Sequence, residues 1–152
     1  MKHAFDEITL NQVRNNTVPR QSEVQVFWDP AEGGLVILGA DGMKKKLVTA
    51  PVLFEAEVVP MDTEAALSMI SSEDGTIWWS VTEVATRTAA QIKAGTGAID
   101  NSSAACVAGV AYAPSAVGLS NGTTYYLHVV AENAEALSSR VVNTAGFVPV
   151  AP

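Results

Sequence analysis

The chain has 152 residues, 48% hydrophobic and 16% charged, which is enough apolar content for one packed domain plus an arm and too much for a disordered chain. Nine Lys and Arg against sixteen Asp and Glu leave a net charge of −7, which argues against nucleic acid and membrane surfaces as primary partners, since both call for clustered cations. The charge is uneven: residues 1–50 hold six bases and six acids, whereas residues 51–152 hold three bases and ten acids. That asymmetry predicts two pieces, a neutral one suited to docking and an acidic one suited to facing solvent.

In chain order, Met1–Leu10 carries Asp6 and Glu7 and has no continuous apolar run, so it does not read as a Sec-type signal peptide. Asn11, Asn15, Asn16, Thr17 and Pro19 make the first twenty residues an extended arm, with one short strand expected over Glu7–Val13. Val24, Val26 and Trp28 alternate with Gln25 and Phe27, which predicts a strand over Glu23–Trp28. Asp29–Gly34 and Gly39–Gly42 supply turns around a run at Leu35–Leu38, and Lys44–Val48 closes a small β-meander. A unit this small needs another surface to bury against.

From residue 51 onwards the texture changes. Val52–Val59, Ala65–Ile70 and Thr76–Thr82 read as strands, with Phe54, Ala56 and Val58 expected on one face of the first and Glu55 and Glu57 on the other. Thr88–Ala94 reads as one short helix, capped by Thr88 and ended by Gly95. Thr96–Ser103 reads as a polar loop, and Ala104–Gly109, Ala111–Leu119, Thr124–Glu132 and Ser138–Phe147 complete a series of short strands. Many short strands with punctuating turns predict an all-β fold, a β-sandwich over residues 51–152, preceded by an arm and meander over residues 1–50.

Leu119-Ser-Asn-Gly-Thr-Thr-Tyr125, followed by Tyr126–Asn133, resembles the E-to-F corner of fibronectin type III modules, in which a Leu precedes a Gly-Thr turn and a Tyr six residues after it opens strand F. Ile70–Val81 is similar to the B-to-C hairpin of the same class, and Thr88–Gly95 to a short helix inserted in such modules of bacterial surface and bacteriophage virion proteins. The resemblance covers roughly residues 52–149 and implies a buried tyrosine whose hydroxyl ties back to the corner backbone. One departure stands out. The animal-type module places its core Trp on strand B, whereas Trp78 and Trp79 fall on strand C.

No catalytic or cofactor constellation assembles from the residues, and none is expected. His3 and His128 lie in no metal-ligand or acid–base spacing, no glycine-rich loop precedes a helix, and Cys106 sits among Ala104, Ala105, Val107 and Ala108 as a small buried thiol. Asp100 and Asn101 lack the further carboxylates that a Ca²⁺ site needs and read better as a polar loop.

The candidate partner-docking residues are Phe27, Trp28 and the basic run Lys44, Lys45 and Lys46, which could meet an acidic partner or simply protect a strand edge. On the sandwich, if Tyr125, Leu127 and Val129 point inward, then Tyr126, His128 and Val130 point outward. Together with Trp78 or Trp79 these would form an exposed patch able to meet a host glycan or to lie under the meander. The resemblance implies a non-enzymatic bacteriophage virion protein, a head decoration or fibre protein that docks through residues 1–50 and displays the sandwich. The alternatives are a tail or baseplate fibre component and a bacterial surface adhesion or carbohydrate-binding module. Homo-oligomerisation would raise avidity, but no heptad or repeat specifies a copy number.

Overall fold

In the computed structural model, the described residues are 25–31, 34–39 and 41–151, and the chain divides between Thr49 and Ala50 into two separately packed units. The strand expected over Glu7–Val13 lies outside the described residues. In the first unit, β1 (Gln25–Asp29), β2 (Gly34–Leu38) and β3 (Lys44–Lys46) form an antiparallel sheet in that order. Trp28 pairs with Leu35, Phe27 with Val36, and Ile37 with Lys45. The Asp29 carboxylate organises the first turn by accepting the Ala31 N–H at 2.9 Å and meeting Lys44 Nζ at 2.8 Å.

The second unit is a β-sandwich. Its strands are β4 (Leu53–Pro60), β5 (Glu64–Ser71), β6 (Gly75–Thr82), β7 (Asp100–Cys106), β8 (Ala111–Tyr112), β9 (Ser115–Val117), β10 (Tyr126–Glu132) and β11 (Val142–Asn143). One sheet runs β4-β5-β8 with β9 also on β5, and the other runs β11-β10-β6-β7, all antiparallel. The run expected over Ala111–Leu119 is thus two short pieces that occupy one edge position of the first sheet. Pro114 interrupts it, because proline has no N–H to give to the ladder, yet its carbonyl still accepts the Leu67 N–H at 2.9 Å.

The core lies between the sheets and comes from alternate positions: Ala65, Leu67 and Met69 of β5, Ile77, Trp79 and Val81 of β6, and Leu127, Val129 and Ala131 of β10. Trp79 is the inward tryptophan, so β6 supplies the core indole. The corner is closed as the resemblance implies. Tyr125 is buried, its ring centroid stands 6.1 Å from that of Phe147, and its Oη accepts the Ser120 N–H at 3.0 Å. Gly122, at φ 78°, takes the left-handed turn position before it.

The order along the chain agrees with the expected elements, but several bounds differ. The strand expected over Ser138–Phe147 is strand only at Val142–Asn143, with isolated bridges at Ser138 and Phe147, and the one expected over Ala104–Gly109 ends at Cys106. The polar loop expected over residues 96–103 is strand from Asp100 onwards, because β6 offers an unbroken ladder from Gly75 to Val81 that small polar side chains can line without cost. Phe54 does not share a face with Ala56 and Val58. A bulge between Leu53 and Glu55 turns Leu53 towards the core and leaves Phe54 67% exposed.

The helix α1 (Ala89–Lys93) matches its expected signals. Thr88 Oγ1 accepts the Gln91 N–H at 3.3 Å while Gln91 Oε1 accepts the Thr88 N–H at 3.0 Å, a reciprocal cap, and Gly95 follows the last turn at φ 63°. The helix packs on β10 and β6 from the side opposite the core and buries Ile92.

Candidate functional site

The docking residues of the first unit divide between the two faces of its sheet. Phe27 and Trp28 are consecutive in a strand and must point opposite ways. Phe27 shares a face with Val36, which is fully buried, and lies half-buried beneath Lys44, whose Nζ stands 5.8 Å from the ring centroid. Lys44 is therefore engaged within its own sheet, by Asp29 and by Phe27. Trp28 is 50% exposed on the opposite face, with Val26, Leu35 and Leu47 exposed beside it. Leu47 continues the ladder beyond β3, donating its N–H to the Leu35 carbonyl at 2.7 Å. Lys45, opposite Ile37, is exposed and on this same face, and Lys46 pairs in register with Val36.

The sheet thus carries a row of apolar side chains open to water with one lysine at its border. The sequence reading named Trp28 and missed Val26, Leu35 and Leu47. The available signal was that the runs over 24–28 and 35–38 are apolar on both alternations, and a single sheet layer can cover only one of them.

On the sandwich the expected patch of Trp78, Tyr126 and His128 is only partly formed. All three do sit on the outer face of the β11-β10-β6-β7 sheet, since Val130 pairs with Trp78, His128 with Ser80 and Tyr126 with Thr82. His128, however, is 0% exposed, and Val130, Ser80 and Thr82 are buried with it. The expectation of an outward, accessible His128 is corrected. α1 and the segment leading into it cover the middle of this face, so the alternation assigned the right face but not its exposure.

Trp78 is half-buried, with Lys93 Nζ 4.8 Å from its ring centroid, and Lys93 is held there by Glu132 and by Ser138 Oγ at 3.0 Å. The Lys93 ammonium, then the Ser138 hydroxyl, hold the Glu132 carboxyl below the usual carboxylate range. Tyr126 is half-buried as well.

Around His128 the hydrogen bonds form a closed chain. Asn143 Oδ1 accepts the Arg87 N–H at 3.1 Å, which orients the amide, and its 2.6 Å contact with His128 Nδ1 then requires a proton on Nδ1. In the neutral ring, Nε2 accepts from the Thr82 hydroxyl at 2.9 Å, while Thr82 Oγ1 in turn accepts the Val84 N–H at 3.1 Å. A second proton, on Nε2, requires that hydroxyl to turn to the Val84 carbonyl, 2.9 Å away. Burial foremost, with the nearby Arg87 charge, pushes the His128 pKa down from 6.5 and keeps the ring neutral.

Cys106 is buried, and burial pushes its thiol pKa up, so it is held in the unreactive protonated form. Asp100, once weighed as a cation ligand, spends both oxygens on the backbone: Oδ1 accepts the Asn101 N–H at 2.9 Å and Oδ2 the Val117 N–H at 2.8 Å. Among the described residues no three His, Cys, Asp or Glu side chains stand together as a metal-binding group, and no helix is long and apolar enough to cross a membrane.

No protein-family model and no curated protein matches the chain. Among solved structures it is similar to a DUF3823 family protein from Parabacteroides merdae, at 9% identity and a TM-score of 0.44, over 86% of this chain and 89% of that one. A similarity at that level bears on neither family nor function.

Proposed function

We propose that the chain is a non-enzymatic structural protein of a bacteriophage virion, a head decoration or fibre protein that docks through its first unit and displays the sandwich. The observation that carries the docking half of this reading is the open apolar face of Val26, Trp28, Leu35 and Leu47. Such a face on a three-stranded sheet is unfavourable in water and is suited to burial against a partner. The sandwich has a core of its own and carries the acidic excess, which favours solubility once displayed. The virion itself enters through the resemblance of residues 52–149 to fibronectin type III modules carried on phage particles.

The test is detection of the chain on purified particles, with heads and tails assayed separately. Presence on heads supports decoration, and presence on tails supports a fibre or baseplate role. Absence from both, together with glycan-array binding that Tyr126→Ala abolishes, would replace the reading with that of a surface adhesion module. Deleting residues 1–22 is expected to leave a folded sandwich that no longer binds particles, so wild-type occupancy by the truncated chain would overturn the division of roles.

A further inference from the structure

Residues 83–87, between β6 and α1, lie as a strap over the outer face of the β11-β10-β6-β7 sheet. Glu83, Val84, Ala85 and Thr86 are exposed and Arg87 is half-buried, while Ser80, Thr82 and His128 on the face beneath are buried. Among the described residues, no backbone–backbone hydrogen bond ties this segment to the sheet. Its ties run through two side chains instead. The Thr82 hydroxyl accepts the Val84 N–H at 3.1 Å and stands 2.9 Å from the Val84 carbonyl, and Asn143 Oδ1 accepts the Arg87 N–H at 3.1 Å. The same two side chains are the partners of the His128 ring, Thr82 at 2.9 Å from Nε2 and Asn143 at 2.6 Å from Nδ1. What holds the imidazole therefore also holds the strap.

We infer that residues 83–87 form an acid-opened strap: a second proton on the buried His128 ring lifts this segment from the sheet and lets water reach the ring, while the sandwich beneath stays folded. The charges around the ring give the direction. Arg87, on the strap, is the charged group that acts on it. Ser80 and Thr82 of β6, Tyr126 and Val130 of β10 and Asn143 of β11 offer it no carboxylate. Glu83 is exposed, and Lys93 of α1 and Glu132 of β10 are engaged with each other beside Trp78.

The Thr82 hydroxyl can turn to the Val84 carbonyl and so satisfy a proton on Nε2, but that rotation brings no negative charge. Imidazolium and guanidinium then share a dry site, and burial disfavours the charge that their repulsion already opposes. Since one of the two cations sits on the strap, the repulsion acts along the direction of release. Opening breaks only the ties through Thr82 and Asn143, whereas unfolding gives up the whole core, so the local route is the cheaper one. The reciprocal cap at Thr88 and the end of the β6 ladder at Thr82 bound the moving segment. The device uses only the sandwich and holds whether or not the first unit docks on a virion.

The test is amide hydrogen exchange of the full chain, resolved by NMR from about pH 7.5 to about pH 5 and referred at each pH to the rate of an unstructured chain. Protection of the Val84 and Arg87 amides is expected to fall below about pH 6.5 by up to about tenfold per pH unit, the limit for one proton. The amides of buried Val81 and Val129 are expected to keep theirs. His128→Gln can still bond Asn143 but cannot titrate, and is expected to flatten the profile. Arg87→Gln keeps the ring and the backbone tie to Asn143 while removing the like charge; it is expected to reduce the fall and decides the matter if His128→Gln fails to fold. Protection at Val84 and Arg87 that is constant with pH, a fall of equal size at Val81 and Val129, or a fall unchanged in the variants would each overturn the inference.

Discussion

The two units solve the same problem with different resources. In the sandwich the core alternations have a second layer: the inner faces of two sheets cover each other, and α1 with the segment leading into it covers the middle of one outer face, so even His128 and Val130 are buried. In the first unit, Val36 and its neighbours occupy one face of a three-stranded sheet while Val26, Trp28, Leu35 and Leu47 stay open on the other. The lesson concerns what a tryptophan means. Trp79 and Trp28 both sit in alternating apolar strands, yet one is core and the other surface, because the number of layers around a strand decides what its alternation buries.

Substitution at the two indoles tests that comparison most directly. Trp79→Ala is expected to destabilise the sandwich by about 3–5 kcal/mol in chemical denaturation, since it empties a core site enclosed by both sheets. Trp28→Ala is expected to change folding stability by no more than about 0.5 kcal/mol. It should weaken association with purified particles by about 2 kcal/mol, the scale of an interface anchor, as read from binding isotherms. Equal destabilisation by both variants would erase the distinction between the units.

Smaller effects sharpen the account of the sandwich. Tyr125→Phe keeps the ring against Phe147 but leaves the Ser120 N–H without its acceptor, and about 1 kcal/mol of stability should be lost in thermal or denaturant unfolding. The His128 site adds a pH dependence. Its pKa lies below 6.5 in the folded chain, so between the folded and unfolded values the unfolded chain holds more protons and stability rises with pH. The contribution of this group is complete above about pH 6.5 and is lost as pH drops through the lowered folded value. Denaturation midpoints measured from pH 7.5 downwards should therefore show an acid slope beginning near 6.5 that His128→Gln removes. A slope that persists unchanged in the variant would place the titration elsewhere.

Local chemistry made much of this molecule legible. The alternation over residues 65–70 and 76–82, the Thr88 and Gly95 helix signals, and the Leu119–Tyr125 corner each state a short-range preference that the fold has no reason to override, and all appear where expected within a residue or two. β7 was harder to see, because Asp-Asn-Ser-Ser has no strand propensity of its own and becomes a strand through the ladder that β6 presents.

By itself the sequence determined an all-β chain with a change of texture near residue 50, its turns, the capped helix after Thr88 and, where no bulge intervenes, the face on which a strand residue lies, because these follow from φ/ψ preferences, capping and the two-residue period. Only the tertiary structure decided exposure: that the segment around Val84 and Arg87 closes on His128, that Lys93 lies across Trp78, that a bulge turns Phe54 outward, and that Trp28 stands in an open apolar row while Phe27 lies beneath Lys44. The physical reason is that alternation is a property of one strand, whereas burial depends on what other elements bring to its face, often from tens of residues away.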